Sequence, residues 1–180
     1  MLHELHIDGL PDATPHKQPL ISLVTKYSDT FAENDADVGT TSLTFHEIDT
    51  ADIRPLRQPV RRLLYGEIRT AVESEVDKLV SAGIARQSIS PCASPVVMVW
   101  KKDGGWRMCV DYRRLNTVTK FDSFPLPRLD EALDAFDGAT VFSSLDLAMA
   151  YHQVPVKPVD VEKTAFITHV GLYKMIKMPF

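Results

Sequence analysis

Hydrophobic positions change their spacing at Glu67. From there Ile68, Ala71, Val72, Val76, Leu79 and Val80 recur at helical intervals, and Gly83 stands where a left-handed cap would end the helix. The run PVVMVWKK, Pro95 to Lys102, is β-branched and aromatic and predicts a strand. Asp103-Gly104 follows, then a second strand, WRMCVDY, from Trp106 to Tyr112. Two strands joined by a short Asp-Gly turn predict a hairpin. A loop over 117–127, with Pro125 and Pro127, leads to a short helix marked by Leu129, Ala132, Leu133 and Phe136 and ended by Gly138. Val141, Phe142 and Leu145 then predict a strand that delivers Asp146, and two more strands are expected at Thr164–Thr168 and Leu172–Met175. Before Glu67 the pattern is weaker. Prolines recur (Pro11, Pro15, Pro19, Pro55, Pro59), the one helical pattern is Leu20, Leu23, Val24, Tyr27 and Phe31, and ENDADVGTTS reads as a polar loop. The expected organisation is a partly irregular lead-in over 1–66 and an ordered domain over 67–180. Helices and strands interleave, so the class is α/β or α+β.

Charge changes this picture more than composition does. The net charge is −4, which taken whole argues against a nucleic-acid partner. Its distribution does not. Residues 1–53 hold 2 basic and 10 acidic side chains, residues 54–114 hold 12 and 6, and residues 115–180 hold 6 and 8. A basic middle behind an acidic lead-in can bind phosphate locally, although a mixed solvated surface accounts for the same counts. No apolar run approaches the ~20 residues of a membrane span, and MLHELHIDGLPDA lacks the basic flank and apolar centre of a signal peptide. Two cysteines, Cys92 and Cys109, suit a reducing compartment and make neither a disulfide framework nor a zinc site.

Chemistry concentrates in two places. In FSSLDLAMAYHQVPV, residues 142–156, an acid closes an apolar run and an aromatic, Tyr151, follows five residues later. A lone carboxylate there is costly to bury unless it is paired or binds a cation. Asp146 is therefore a candidate metal ligand, with a capping or turn carboxylate as the plain alternative. The hairpin presents Lys101, Lys102 and Arg107 close together, which suits a polyphosphate because guanidinium can grip two oxygens at once. Edge strands also carry lysine simply to resist aggregation. No GxxxxGK[ST] or GxGxxG loop occurs. Asp49-Thr50-Ala51 lacks the glycine an aspartic-protease signature needs.

KKDGGWRMCVDYRRLN, FPLPRLDEAL, FSSLDLAMAYHQVPV and KTAFITHVGLYKMIKMPF occur in that order. In order and spacing they resemble the reverse transcriptases of gypsy-like LTR retrotransposons, and HEIDTADIRPLRQPVRRL resembles the connector before the polymerase in their Pol polyproteins. The resemblance covers about residues 45–180. It implies an incomplete right-hand polymerase fold, fingers plus partial palm, behind an extended connector. It places Asp146 as the first catalytic carboxylate, with the Leu147 carbonyl as a further metal contact. Lys102 (with Lys101 as the alternative) and Arg107 would hold the incoming triphosphate, and Ala150 would set its backbone beside it. Tyr151 would lie under the sugar and exclude a ribose 2′-hydroxyl, and Phe180 would line the nucleotide pocket. Asp111, Arg113 and Asn116 would either contact template or hold the hairpin. The implied cofactor is a pair of Mg²⁺ ions, with Mn²⁺ as the alternative. The implied partners are an RNA or DNA template with its primer, deoxynucleoside triphosphates and the rest of Pol, with no membrane. The implied place of action is inside the cell, in cytoplasmic virus-like particles and the nucleus.

One departure qualifies this. The family carries further carboxylates in a Tyr-x-Asp-Asp hairpin downstream of its MPFG region, and no aromatic-x-Asp-Asp occurs here. One carboxylate leaves most of the coordination of two metals to water and substrate. The expectation is an RNA-directed DNA polymerase fragment, truncated before that motif and inactive alone. The alternatives are a non-catalytic remnant that binds nucleic acid or protein through 54–114, or an unrelated α/β interaction domain.

Overall fold

The computed structural model describes residues 17–32, 34, 37–51, 53–62, 66–102, 104–140, 142 and 144–180. The chain divides into two compact units, Met1–Val38 and Gly39–Phe180. In the first, helix α1 (Lys17–Lys26) buries Val24 and is followed by a 3₁₀ turn at Ser28–Thr30. That is where the short helical pattern lay.

The second unit is built on a five-stranded sheet. Helix α2 (Glu67–Ser81) buries Val72 and Val76 and ends as the sequence predicts. Gly83, at φ +65°, donates its N–H to the Val80 carbonyl, and Ile84 donates to the Leu79 carbonyl. These paired bonds form a Schellman cap, and the left-handed residue at its centre favours glycine. The cap turns the chain directly into β1 (Ala85–Gln87), with Ile84 buried at the corner. Strands β2 (Ser94–Trp100) and β3 (Trp106–Val110) form the expected hairpin, in antiparallel register from Val96 opposite Val110 to Trp100 opposite Trp106. Asp103 lies outside the described residues, but Gly104 and Gly105 both have positive φ, so the turn uses conformations that disfavour a Cβ. Strands β4 (Phe166–Thr168) and β5 (Gly171–Met175) complete the sheet in the order β1-β5-β4-β2-β3. Only the β2–β4 pairing is parallel.

Phe166, Val72, Val76, Ile84 and Val96 are the large apolar side chains most completely removed from water. Burying each stabilises the fold by roughly 1.5–3 kcal/mol relative to exposure. Thr164, fully buried, satisfies its hydroxyl locally: Oγ1 accepts from the Met175 N–H at 3.0 Å and lies 2.7 Å from the Val161 carbonyl. The irregular stretch before α2 is tied to this core. His46 donates its N–H to the Pro155 carbonyl and accepts from the Lys157 N–H, while Ala93 donates to the Leu56 carbonyl and accepts from the Gln58 N–H. Ile48 is buried, and its N–H donates to Asp160 Oδ2 at 3.0 Å.

Of the strand expected at 141–145, the described residues carry none. Val141 and Ser143 lie outside the described residues, while Phe142, Ser144 and Leu145 are irregular and exposed. An apolar run becomes a strand only where a neighbour completes its ladder. None of the five strands lies beside this one. Asp146 therefore sits in an exposed, irregular segment and not at a strand end. The helix expected just before it is present as α4 (Leu129–Asp134), also exposed, after a four-residue α3 (Arg113–Asn116).

Candidate nucleotide-binding and catalytic site

Three separated segments converge beside the hairpin. Arg107, on β3, is paired with Val99, so the two-residue period of the pleat sets it on the face opposite the Trp100–Trp106 pair. Lys101 continues the Val99 row, with its N–H bonded to the Gly105 carbonyl at 2.9 Å, whereas Lys102 falls in the turn. Phe180 arrives from beyond β5 after Met178 has donated its N–H to the Val154 carbonyl at 2.7 Å. Its ring lies 5.9 Å from the Arg107 guanidinium and meets Tyr151 edge-on, centroids 5.1 Å apart. Arg107, Tyr151 and Phe180 thus form one cluster, aromatic below and cationic above.

Tyr151 belongs to a 3₁₀ turn, Ala150–Gln153, that is held firmly. Met149, just before it, adopts left-handed backbone (φ 47°, ψ 43°), a conformation that costs a non-glycine residue about 1 kcal/mol or more. Three bonds hold it there. The His152 N–H donates to the Met149 carbonyl at 2.8 Å, Gln153 Nε2 donates to the Ala148 carbonyl at 2.7 Å, and His152 Nδ1 lies 3.0 Å from the Met178 carbonyl. Sequence reasoning named Ala150 and Tyr151 but missed His152 and Gln153, the next two residues of the same motif. The role of His152 depends on its contact with Met178, 26 residues away, whereas Gln153 reaches back five residues to Ala148.

Asp146 and Leu147, both exposed, lie just upstream of this anchored turn. A carboxylate and a backbone carbonyl are hard oxygen donors of the kind Mg²⁺ takes. Among the described residues, however, no group of three or more His, Cys, Asp or Glu side chains comes together. The donors present do not by themselves make a two-cation site.

Asp111, Arg113 and Asn116 lie at the base of the hairpin. Asp111 donates its N–H to the Pro95 carbonyl, and its carboxylate receives both Nε and Nη2 of Arg113, each at 2.8 Å. Arg61 Nη2 joins the same carboxylate. The Arg113 hydrogen bonds, opposed by partial burial and reinforced by the Arg113 and Arg61 charges, hold the Asp111 carboxyl at about 2. Tyr112, which sequence reasoning passed over, donates its hydroxyl to the Thr164 carbonyl at 2.7 Å, and burial pushes its ionisation far up. Asp111 and Tyr112 together fix the hairpin to the connector and the sheet. Asn116 closes α3 with an exposed side chain.

Residues 99–179, which hold the end of β2, all of β3, the anchored turn and the approach to Phe180, match the family described as reverse transcriptase (RNA-dependent DNA polymerase). Over that span the chain belongs to the reverse transcriptase family. The Retrovirus-related Pol polyprotein from transposon opus of Drosophila melanogaster is 41% identical over 118 residues, covering 63% of this chain and 12% of that protein. The one from transposon 412 of the same fly is 30% identical over 170 residues, covering 91% and 14%. The chain thus spans about an eighth of the length of these relatives. Among solved structures, the prototype foamy virus protease-reverse transcriptase matches with a TM-score of 0.75 at 26% identity, over 98% of this chain and 24% of that one. The foamy viral enzyme solved with double-stranded DNA matches with a TM-score of 0.78 at 21% identity, over 98% and 37%, a likeness of fold. The mixed α/β sheet unit is therefore part of a reverse transcriptase polymerase fold. Among the described residues no helix is long and apolar enough to cross a membrane.

Proposed function

We propose that this chain is the nucleotide-holding part of an RNA-directed DNA polymerase, from the Pol polyprotein of a gypsy-like LTR retrotransposon. The convergence of Arg107, Tyr151 and Phe180 carries this reading. Joining a nucleotide to a primer is an in-line displacement: the primer 3′-hydroxyl oxygen bonds to the α-phosphorus as the bond to pyrophosphate breaks. Positioning and electrostatics do nearly all the work in such a transfer. Arg107 grips triphosphate oxygens with its fork of donors. Lys101, in line with Val99 on the Arg107 face, is better placed than Lys102 to join it. Tyr151 and Phe180 line the sugar and base side, Tyr151 against the position of a 2′-hydroxyl, and Ala150 brings its backbone alongside.

Two divalent cations, Mg²⁺ or Mn²⁺, supply charge to the attacking and leaving oxygens when bound. Asp146 and Leu147 are this chain's contribution to holding them, and transfer requires further carboxylates. Asp111 and Arg113, tied to each other and to Arg61, serve by holding the hairpin, while Asn116 is free to meet template. The partners in this reading are an RNA or DNA template with its primer, deoxynucleoside triphosphates and the remainder of Pol, acting in cytoplasmic particles and in the nucleus.

The test is a graft: the transposon 412 Pol polyprotein with residues 99–180 of this chain replacing its matching segment. Tyr151→Val in that graft is expected to raise ribonucleotide incorporation relative to deoxyribonucleotide by about tenfold or more, the loss of one steric exclusion worth at least 1.4 kcal/mol. An unchanged ratio would remove Tyr151 from the sugar side of the pocket.

A further inference from the structure

The face of the hairpin opposite Arg107 ends in the chain's two tryptophans. Trp100 and Trp106 form the last pair of the β2–β3 ladder, their rings edge-on with centroids 5.0 Å apart. Such a cross-strand aromatic pair strengthens a hairpin. That explains the contact between the rings. It leaves unexplained why Trp100 keeps 60% of its surface in water at the tip of a finger. An edge-on contact covers at most one face of an indole, so the pair presents an open aromatic face. Lys102, in the turn, follows close behind Trp100, and the 54–114 segment around the hairpin carries 12 basic against 6 acidic side chains. An open aromatic face set in positive charge is the composition that binds unpaired nucleic-acid strands, because every base has a face to stack and every linkage a phosphate.

We propose that Trp100, supported edge-on by Trp106, is a stacking platform for an unpaired nucleic-acid strand on the side of the hairpin away from the nucleotide cluster. The inference rests on the polymerase reading above and extends it. Incoming nucleotide and unpaired strand are held on opposite faces of one rigid two-stranded element. The occupant is single-stranded RNA or DNA and not an acidic protein surface, because basic charge answers a negative charge of either kind whereas the open indole face answers a base.

Since Trp100 and Trp106 are the chain's two tryptophans, its intrinsic fluorescence reports on this site directly. The full chain is titrated with a 20-nucleotide oligo(dT), and in parallel with heparin, a polyanion without bases. Oligo(dT) is expected to quench the emission and heparin to leave it nearly unchanged. Trp100→Leu, which keeps apolar bulk at an exposed position, is expected to weaken oligo(dT) binding by about 5- to 100-fold, the range of one stacked base. Trp100→Phe should lose less, and heparin affinity should be the same in all three proteins. Equal quenching by heparin, or oligo(dT) affinity unchanged in a folded Trp100→Leu variant, would overturn the platform while leaving the polymerase reading intact. A wild-type chain that binds neither oligo(dT) nor a primed template at low salt would overturn both.

Discussion

Arg107 and Asp146 are held by very different surroundings. Arg107 projects from a hairpin whose base is locked by Asp111, Arg113 and Arg61 and whose neighbouring strand carries the fully buried Phe166. Asp146 lies in the stretch 121–149, where Phe121, Phe124, Leu126, Leu129, Leu145 and Leu147 all stand in water. Its downstream end is fastened through the Ala148 and Met149 carbonyls to Gln153 and His152, and Lys120, just before the stretch and far from Asp146, is tied to Asp49. The triphosphate side of the proposed site is thus preorganised by this unit's own core. The carboxylate side has its orientation fixed from one end. Preorganisation in this molecule tracks sheet neighbours and not local apolar content, since both stretches are rich in apolar residues.

The contrast predicts opposite responses to truncation. Phe166→Ala removes a ring that stacks on Tyr173 with none of its surface in water, and should cost about 3–5 kcal/mol in denaturant unfolding. Leu145→Ala, at a residue 83% exposed, should change stability by less than about 0.5 kcal/mol. A comparable loss at both positions would show that 121–149 is packed after all.

Acid should loosen the hairpin base, alongside the Asp160 and Glu162 carboxyls, which ion pairs and hydrogen bonds with Lys163 and Lys174 also hold below their ordinary values. The Asp111 carboxyl is held at about 2, below its unfolded value near 3.9. A carboxylate with a depressed folded value contributes its stability above the unfolded value and loses it as pH falls through the folded one. The melting temperature should therefore fall between about pH 4 and pH 2, and Asp111→Asn should flatten that part of the profile. A profile of the same slope in the variant would place the acid-sensitive group elsewhere.

The smallest effect tests the fastening of the carboxylate segment. Gln153→Ala removes the bond to the Ala148 carbonyl and should cost about 0.5–1.5 kcal/mol. Amide exchange should rise over 146–149 and stay unchanged over β2 and β3. Faster exchange in the hairpin as well would mean that the two regions are coupled.

How far the fold was legible in the sequence follows the same division. Helix α2, its Gly83 cap and the hairpin were readable because each is specified by residues within a few positions of one another. Strand β1 was not, because Ala85–Gln87 is extended by pairing with β5, some 88 residues away. The burial of Ile48 against Asp160 was hidden for the same reason, 112 residues apart. Phe142, Ser144 and Leu145, the described residues of the strand expected at 141–145, went the other way: they suit a ladder but are irregular and exposed, outside the five-stranded sheet. Of the candidate site, Arg107 and Tyr151 were named from their motifs. Their meeting through Phe180 depends on the path from β5 and could not be read from spacing.

The most direct test of the proposed chemistry is primer extension by the transposon 412 graft, with and without Asp146→Asn. The substitution removes a charge and keeps the shape, at an exposed residue. Primed-template affinity should stay within about twofold. Extension should fall by roughly a thousandfold or more, equivalent to several kcal/mol of transition-state stabilisation. Extension within tenfold of the unsubstituted graft would contradict the assignment of Asp146 as the catalytic carboxylate.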